Sequence, residues 1–267
     1  DHRESRGLGD VYKRQLKDAN FILRRGETLG VVGESGSGKS TLAKTLIRLE
    51  DPTSGSVMIN NEDFLSLSGQ DLDKARMNIQ MIFQDPFGSL NPCQTVEYMI
   101  TRGLLLQGVK PSQLHERTIS LLGQVGLGEQ SLKRKPINFS GGQRQRIGIA
   151  RALSMAPDVV VADESVSALD LSVQKQVLRL INDLQAKYKM AIIFITHDLR
   201  VAAQISDYIT VMEKGVMVEF GSAKQVFNNP KHDYTKKLLN AAPGRDWTPP
   251  RLDPEEAAKI ARDLEVV

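Results

Sequence analysis

The chain has almost no cysteine: one residue, Cys93, in 267. A single thiol closes no intramolecular disulfide and builds no cysteine metal cluster, so a reducing compartment is the expected setting. Long apolar runs are also missing. Val159–Ala162 and Ala191–Ile195, among the longest, are strand-sized and far short of the ~20 residues of a membrane-spanning helix. Neither sign of charge dominates. Against 35 Lys and Arg stand 32 Asp and Glu, a net charge of +3 with the basic residues spread out, which is no footprint of a nucleic-acid binder. The sequence shows no internal repeat, low-complexity block, long coiled coil or zinc-ligand insert. What remains is ordinary globular composition, 40% hydrophobic and 25% charged, with length for one large domain or two small ones.

The opening stands apart. Asp10-Val11-Tyr12-Lys13-Arg14-Gln15 resembles the translation of a transposase end sequence used in DNA library preparation. Residues 1–15 are therefore set aside as a non-native segment, and the native chain is expected to begin near Leu16.

Hydrophobic patterning then organises the chain. Thr28–Val32 reads as a buried strand running into glycine, Ser40–Leu49 as a helix with one buried face, and Ser56–Asn60 and Ile79–Phe83 as strands. Residues 85–138 are punctuated by Pro86, Pro92, Pro111 and Pro136 around two helical stretches, Val96–Leu106 and Leu114–Val125. They read as a helical subdomain inserted into the core. Strand and helix alternate afterwards: Val159–Ala162, the amphipathic helix Leu171–Tyr188, then Ala191–Thr196. All-apolar strands alternating with helices predict an α/β fold whose mainly parallel sheet is covered on both faces. Tyr208–Glu213 and Val216–Phe220 predict a hairpin turning at Lys214-Gly215, and the tail from Pro243 turns helical at Pro254–Leu264.

The chemistry concentrates at the ends of the predicted strands. Gly33-Glu34-Ser35-Gly36-Ser37-Gly38-Lys39-Ser40 followed by Thr41 fits G-x-x-x-x-G-K-[ST] between a strand and a helix, the context of a P-loop. Its backbone N–H groups wrap phosphates, Lys39 reaches the β- and γ-phosphates of ATP, and the Ser40 hydroxyl ligates Mg²⁺. Asp163-Glu164 closes an apolar strand, where α/β sheets bind ligands. Asp163 suits the Mg²⁺ shell, and Glu164 suits the base that orients or deprotonates water. His197 and Gln84 also follow strands; His197 is placed to hydrogen-bond a γ-phosphate. A second anion site is expected at Ser140-Gly141-Gly142-Gln143, where a Ser-Gly-Gly turn opens a helix with bare N–H groups.

In this order the motifs resemble an ABC-type ATPase from about Leu16 to Ala242: the P-loop, Gln84, Ser140–Gln143, Asp163-Glu164, Ser167-Ala168-Leu169-Asp170 and His197. The resemblance implies a P-loop ATPase core with an N-terminal antiparallel β portion (16–84 and 139–225), the helical subdomain 85–138, and a tail beyond 242. It implies ATP and Mg²⁺ as cofactors, Gln84 also in the metal shell, and Asp170 among the nucleotide-binding residues. It further implies that Ser140–Gln143 caps the γ-phosphate held by a second, identical or homologous ATP-binding subunit packed head to tail. Phe139 stands where the family usually has leucine, and Ser165 where proline is usual. The adenine-stacking aromatic is left unassigned, since Tyr12 lies in the set-aside segment and Phe21 alternates with Leu23 in a predicted strand.

Two stretches narrow the resemblance to ATP-binding subunits of dipeptide and oligopeptide importers. They are Gln84–Pro92 and Asn229–Leu239, the latter within a C-terminal segment at 226–242. Cys93 departs from the arginine frequent there, and no C-terminal cysteines are present to hold an iron–sulfur cluster. The implied function is ATP hydrolysis driving a membrane importer, with transmembrane permease subunits as partners and an extracytoplasmic solute-binding protein acting indirectly. The implied place is the cytoplasmic face of the inner membrane, and nucleic acid is not an expected partner. Importers of nickel, glutathione or another small solute stay open, as does a soluble ABC ATPase acting on nucleic acid or ribosomes.

Overall fold

The computed structural model describes residues 16–166 and 169–241. The first unit is β1 (Thr28–Val32), the glycine loop and α1 (Lys39–Leu46). A two-residue ladder comes next, β2 (Met58–Ile59) against β3 (Glu62–Asp63), then α2 (Gly69–Asn78) and β4 (Ile79–Ile82). Three helices succeed it, α3 (Pro86–Ser89), α4 (Val96–Leu106) and α5 (Leu114–Gln124), and then α6 (Gly141–Leu153). Strand and helix alternate through β5 (Val159–Asp163), α7 (Leu171–Tyr188), β6 (Ala191–Thr196) and α8 (Leu199–Ile205). The hairpin β7 (Tyr208–Glu213) and β8 (Val216–Ser222) leads to α9 (Ala223–Asn228) and α10 (Asp233–Ala241).

One six-stranded sheet carries the fold, in the order β4-β5-β6-β1-β7-β8. All neighbours are parallel except β7 and β8. Side chains alternate between two faces, as a strand's period of two requires. Val160, Ala162, Ile192 and Phe194 face a core shared with α4–α7, while Val161, Ile193 and Ile195 face one shared with α1 and Phe64. The α/β class and the doubly covered parallel sheet are as expected from sequence.

Register positions the functional edge. Ile82 pairs with Ala162, Asp163 with Ile195, and Thr196 with Val32. The C-terminal ends of four adjacent strands therefore fall in one row, and the residues just past each strand meet there.

Several local expectations shift. The strand at 56–60 contracts to Met58–Ile59, because Asn60 and Asn61 both take positive φ, 51° and 65°, and turn the chain back after two residues. The antiparallel portion is thus this ladder, and among the described residues ahead of β1 only Lys17 bridges, to Val216. Phe21 and Leu23 form no strand; both lie partly buried against the core. Residues 83–140 contain helices and turns, tied at their base by Val96 N–H to the Arg134 carbonyl and Glu97 N–H to the Leu132 carbonyl, both 3.0 Å. The expectations for residues 1–15, for Ser167-Ala168 and for the tail helix lie outside the described residues. No helix among the described residues is long and apolar enough to cross a membrane.

Candidate nucleotide site

Lys39 organises the glycine loop. It begins α1 and is only 4% exposed. Its Nζ donates to the Gly33 and Glu34 carbonyls, each at 2.8 Å. Two of its three donors are thereby engaged within the loop. The hairpin braces the loop from outside: Gly215 N–H donates to the Ser37 carbonyl at 2.8 Å. Lys214 and Gly215 both take positive φ, 49° and 83°, the mark of a two-residue turn matched to strand twist. Gly33 has no room for a side chain, since a Cβ there would stand 2.3 Å from the Met212 carbonyl oxygen.

The carboxylates gather opposite. Asp163 ends β5 and is 7% exposed. The Ser40 hydroxyl bonds one of its oxygens, while Oδ1 is buried with no hydrogen-bond partner. Glu164 turns away from the strand at φ 41°, a left-handed conformation that costs a non-glycine residue about 1–3 kcal/mol. Its N–H still reaches the Ile195 carbonyl at 2.9 Å. Its side chain is held from both sides: Gln84 Nε2 donates to Oε2 at 2.9 Å, and His197 Nδ1 lies 3.5 Å from Oε1. Strand order makes this possible, because Gln84, Glu164 and His197 come after the adjacent strands β4, β5 and β6.

Burial sets the electrostatics. It pushes the Lys39 ammonium below the usual lysine range, against the opposing pull of Glu164 and Asp163. It lifts the Asp163 carboxyl above the usual carboxylate range; the Glu164 charge adds to the rise, and the Ser40 hydrogen bond and Lys39 limit it. Three charged groups share a poorly hydrated pocket, and an orphaned carboxylate oxygen sits beside a serine hydroxyl. Hard oxygen donors in that arrangement fit Mg²⁺. Ser37 Oγ is likewise buried without a partner.

Ser140–Gln143 lies on another element. Ser140 caps α6 and accepts the Gln143 N–H at 3.4 Å, while Gln143 Oε1 accepts the Ser140 N–H at 3.0 Å. This capping box satisfies two donors; the Gly141 and Gly142 N–H groups belong to the first turn, which has no intrahelical acceptors. Ser140 and Gln143 are exposed, and α6 packs on α3, α4, α5, α7 and β4. Asp170 is the exposed N-cap of α7 and makes no side-chain cap bond. The structure thus brings Gly33–Thr41, Gln84, Asp163, Glu164 and His197 to one edge and builds Ser140–Gln143 as a separate helix start. Sequence reasoning missed two parts of this edge, the hairpin brace at Gly215 and the hydroxyl of Tyr234, which accepts the Glu34 N–H at 3.1 Å across 200 residues. Residues so far apart leave no local signal of their meeting.

A strand, glycine loop and helix with a buried lysine, at the C-terminal edge of a parallel sheet, define the P-loop class. Comparison with known proteins is more specific. The family model "ABC transporter" matches residues 16–167, and "Oligopeptide/dipeptide transporter, C-terminal region" matches residues 218–261. The chain belongs to the ABC transporter family. It is 45% identical to the oligopeptide transport ATP-binding protein AppF of Bacillus subtilis, over 89% of this chain and 72% of the relative. To the dipeptide transport ATP-binding protein DppF of Escherichia coli it is 46% identical, over 94% and 74%. Among solved structures, it resembles the dimeric ATP-binding cassette MJ0796 in a post-hydrolysis state bound to ADP and Pi. That likeness has TM-score 0.71 and 30% identity and covers 78% of this chain and 90% of the other. It also resembles cbiO1 of Clostridium perfringens, with TM-score 0.73 and 26% identity over 94% and 92%.

The buried carboxylate generates a prediction. Asp163 has its folded pKa above its unfolded value, so the folded state binds the extra proton and loses stability as pH rises from about 4 through the raised pKa. Asp163→Asn removes that charge. Without nucleotide and with EDTA present, the variant should melt above the parent at pH 7, and the gap should narrow toward pH 4. Thermal unfolding across that range checks it; a gap independent of pH counts against it.

Proposed function

We propose that this chain is the ATP-hydrolysing subunit of a membrane importer for di- and oligopeptides. It works as one half of a head-to-tail pair at the cytoplasmic face of the membrane. The ATPase reading is carried by the Glu164 carboxylate, held between Gln84 and His197 at the edge where the buried Lys39 lies. The peptide reading is supported by the match over residues 218–261 and by relatives named for peptide transport.

In this reading Gly33, Ser35, Gly36, Ser37, Gly38 and Thr41 surround the phosphates with backbone and hydroxyl donors. Lys39 turns its remaining donor to the β- and γ-phosphate oxygens. Ser40, Asp163 and Gln84 would hold Mg²⁺, which would supply positive charge against those oxygens. Glu164 accepts a proton from the attacking water while Gln84 and His197 keep its carboxylate oriented, and His197 also bonds the γ-phosphate. Ser140, Gly141, Gly142 and Gln143 present a helix N-terminus to the partner's nucleotide, with Asp170 beside the same composite site. The units are the core (16–84 and 139–225), the helical subdomain 85–138 and the C-terminal segment 226–242. Permease subunits receive the motion through the Gln84 region and the helical subdomain, and a solute-binding protein delivers peptide to them.

Three experiments test this. Glu164→Gln should still bind Mg-ATP and hydrolyse it about 10²–10⁴-fold more slowly, accumulating an ATP-bound dimer; hydrolysis at the parent rate removes Glu164 as the base. Ser140→Arg should leave ATP binding by one chain intact and block ATP-driven dimerisation, read by light scattering; loss of monomer affinity instead would place the signature on its own nucleotide. Cells carrying Lys39→Ala should lose uptake of labelled di- to octapeptides. Unchanged peptide uptake with lost uptake of nickel, glutathione or another solute overturns the peptide assignment alone.

A further inference from the structure

Tyr234 lies on α10, in the segment with importer-type sequence, and its ring joins Leu238 and Leu239 against the small core around Val32 and Val211. Val32 is the last residue before the glycine loop. From there the Tyr234 hydroxyl accepts the Glu34 N–H at 3.1 Å. That N–H belongs to the same peptide unit as the Gly33 carbonyl, which accepts Lys39 Nζ at 2.8 Å. In a trans peptide the N–H and C=O point in opposite directions from one rigid plane. Tyr234 therefore grips one edge of the plane and Lys39 the other.

Tyr234 is itself held in place. Glu219 on β8 accepts the N–H groups of Lys231 and His232 at 2.8 and 2.9 Å, and the Tyr234 N–H donates to His232 Nδ1 at 3.2 Å. The Lys236 N–H bonds the carbonyl of His232, the residue just before the helix, and Asp233 pairs with Lys236 Nζ. The start of α10 is thus pinned to the sheet by the Glu219 carboxylate, and the hydroxyl is delivered to the loop at a set height.

We propose that Tyr234 is a positioning residue for Lys39. By fixing the Gly33–Glu34 peptide plane, it aims the Gly33 carbonyl at the lysine and keeps the ammonium where the phosphates of a nucleoside triphosphate are received. Without the hydroxyl, the plane can rotate about its two flanking single bonds, and Lys39 loses one fixed acceptor. The role rests on the nucleotide-site reading above and gives the C-terminal segment a share in that site.

Tyr234→Phe keeps the ring and removes only the hydroxyl. In the purified full chain, the KM and Kd for Mg-ATP should rise about 2–12-fold, the range for one lost hydrogen bond, with kcat within about twofold of the parent. Leu180→Ala, a packing change on α7, should lower the melting temperature and leave the KM alone. Lys39→Ala should abolish tight Mg-ATP binding, and adding Tyr234→Phe to it should have no further effect on residual nucleotide affinity, because the two act through one peptide. An unchanged KM for Tyr234→Phe, or full additivity with Lys39→Ala, overturns the positioning role while the nucleotide site stands. Parent-like ATP binding by Lys39→Ala overturns both.

Discussion

A buried cation governs this molecule. Lys39 has almost no contact with water, and an ammonium taken out of water needs compensating partners. Two loop carbonyls and two nearby carboxylates supply them. The glycine loop curls back over the lysine to offer those carbonyls, and at Gly33 it passes so close to the Met212 carbonyl on β7 that no side chain fits. If the carboxylates moved away, the cation would keep only the two loop carbonyls. They repel each other all the same, a repulsion that a divalent cation would relieve.

The sheet's strand order meets that need. Adjacent placement of β4, β5, β6 and β1 lets residues from four distant parts of the chain share one pocket without long loops. Each contributes a residue or two just past its last ladder bond, where the backbone is free to turn and side chains point outward. The helical stretch between β4 and α6 hangs from this edge rather than from the middle of the sheet. Gln84 lies two residues past β4, and α3 begins at Pro86. A displacement of the helices would therefore act on the hydrogen bond between Gln84 and Glu164.

Much of this was legible from sequence for a physical reason. Val159–Asp163 and Ala191–Thr196 are apolar throughout because both faces are covered, and Leu171–Tyr188 is long enough to show its stripe. The P-loop is legible because its spacing is tied to backbone geometry. Three helices were not foreseen. α2 buries none of its residues, so it has no apolar stripe to read, and α3 and α8, at four and seven residues, complete too few turns to show a period. Phe21 and Leu23 alternate like a strand but belong to none; their side chains pack partly buried against the core. The contact of Tyr234 with Glu34 was illegible because tertiary packing, not spacing, creates it.

The strand that feeds the glycine loop has a delayed history. β1 pairs with β6 and β7, whose registers run to Thr196 and Val211, and with no strand near it in sequence. At ribosomal rates of roughly 5–20 residues per second, β1 waits on the order of ten seconds for its neighbours to emerge. During that interval its apolar Leu29, Val31 and Val32 have nothing to pair with. The nucleotide pocket, encoded early in the chain, is therefore among the last features to assemble, and a nascent chain stalled before the hairpin would carry the phosphate loop without the sheet that shapes it.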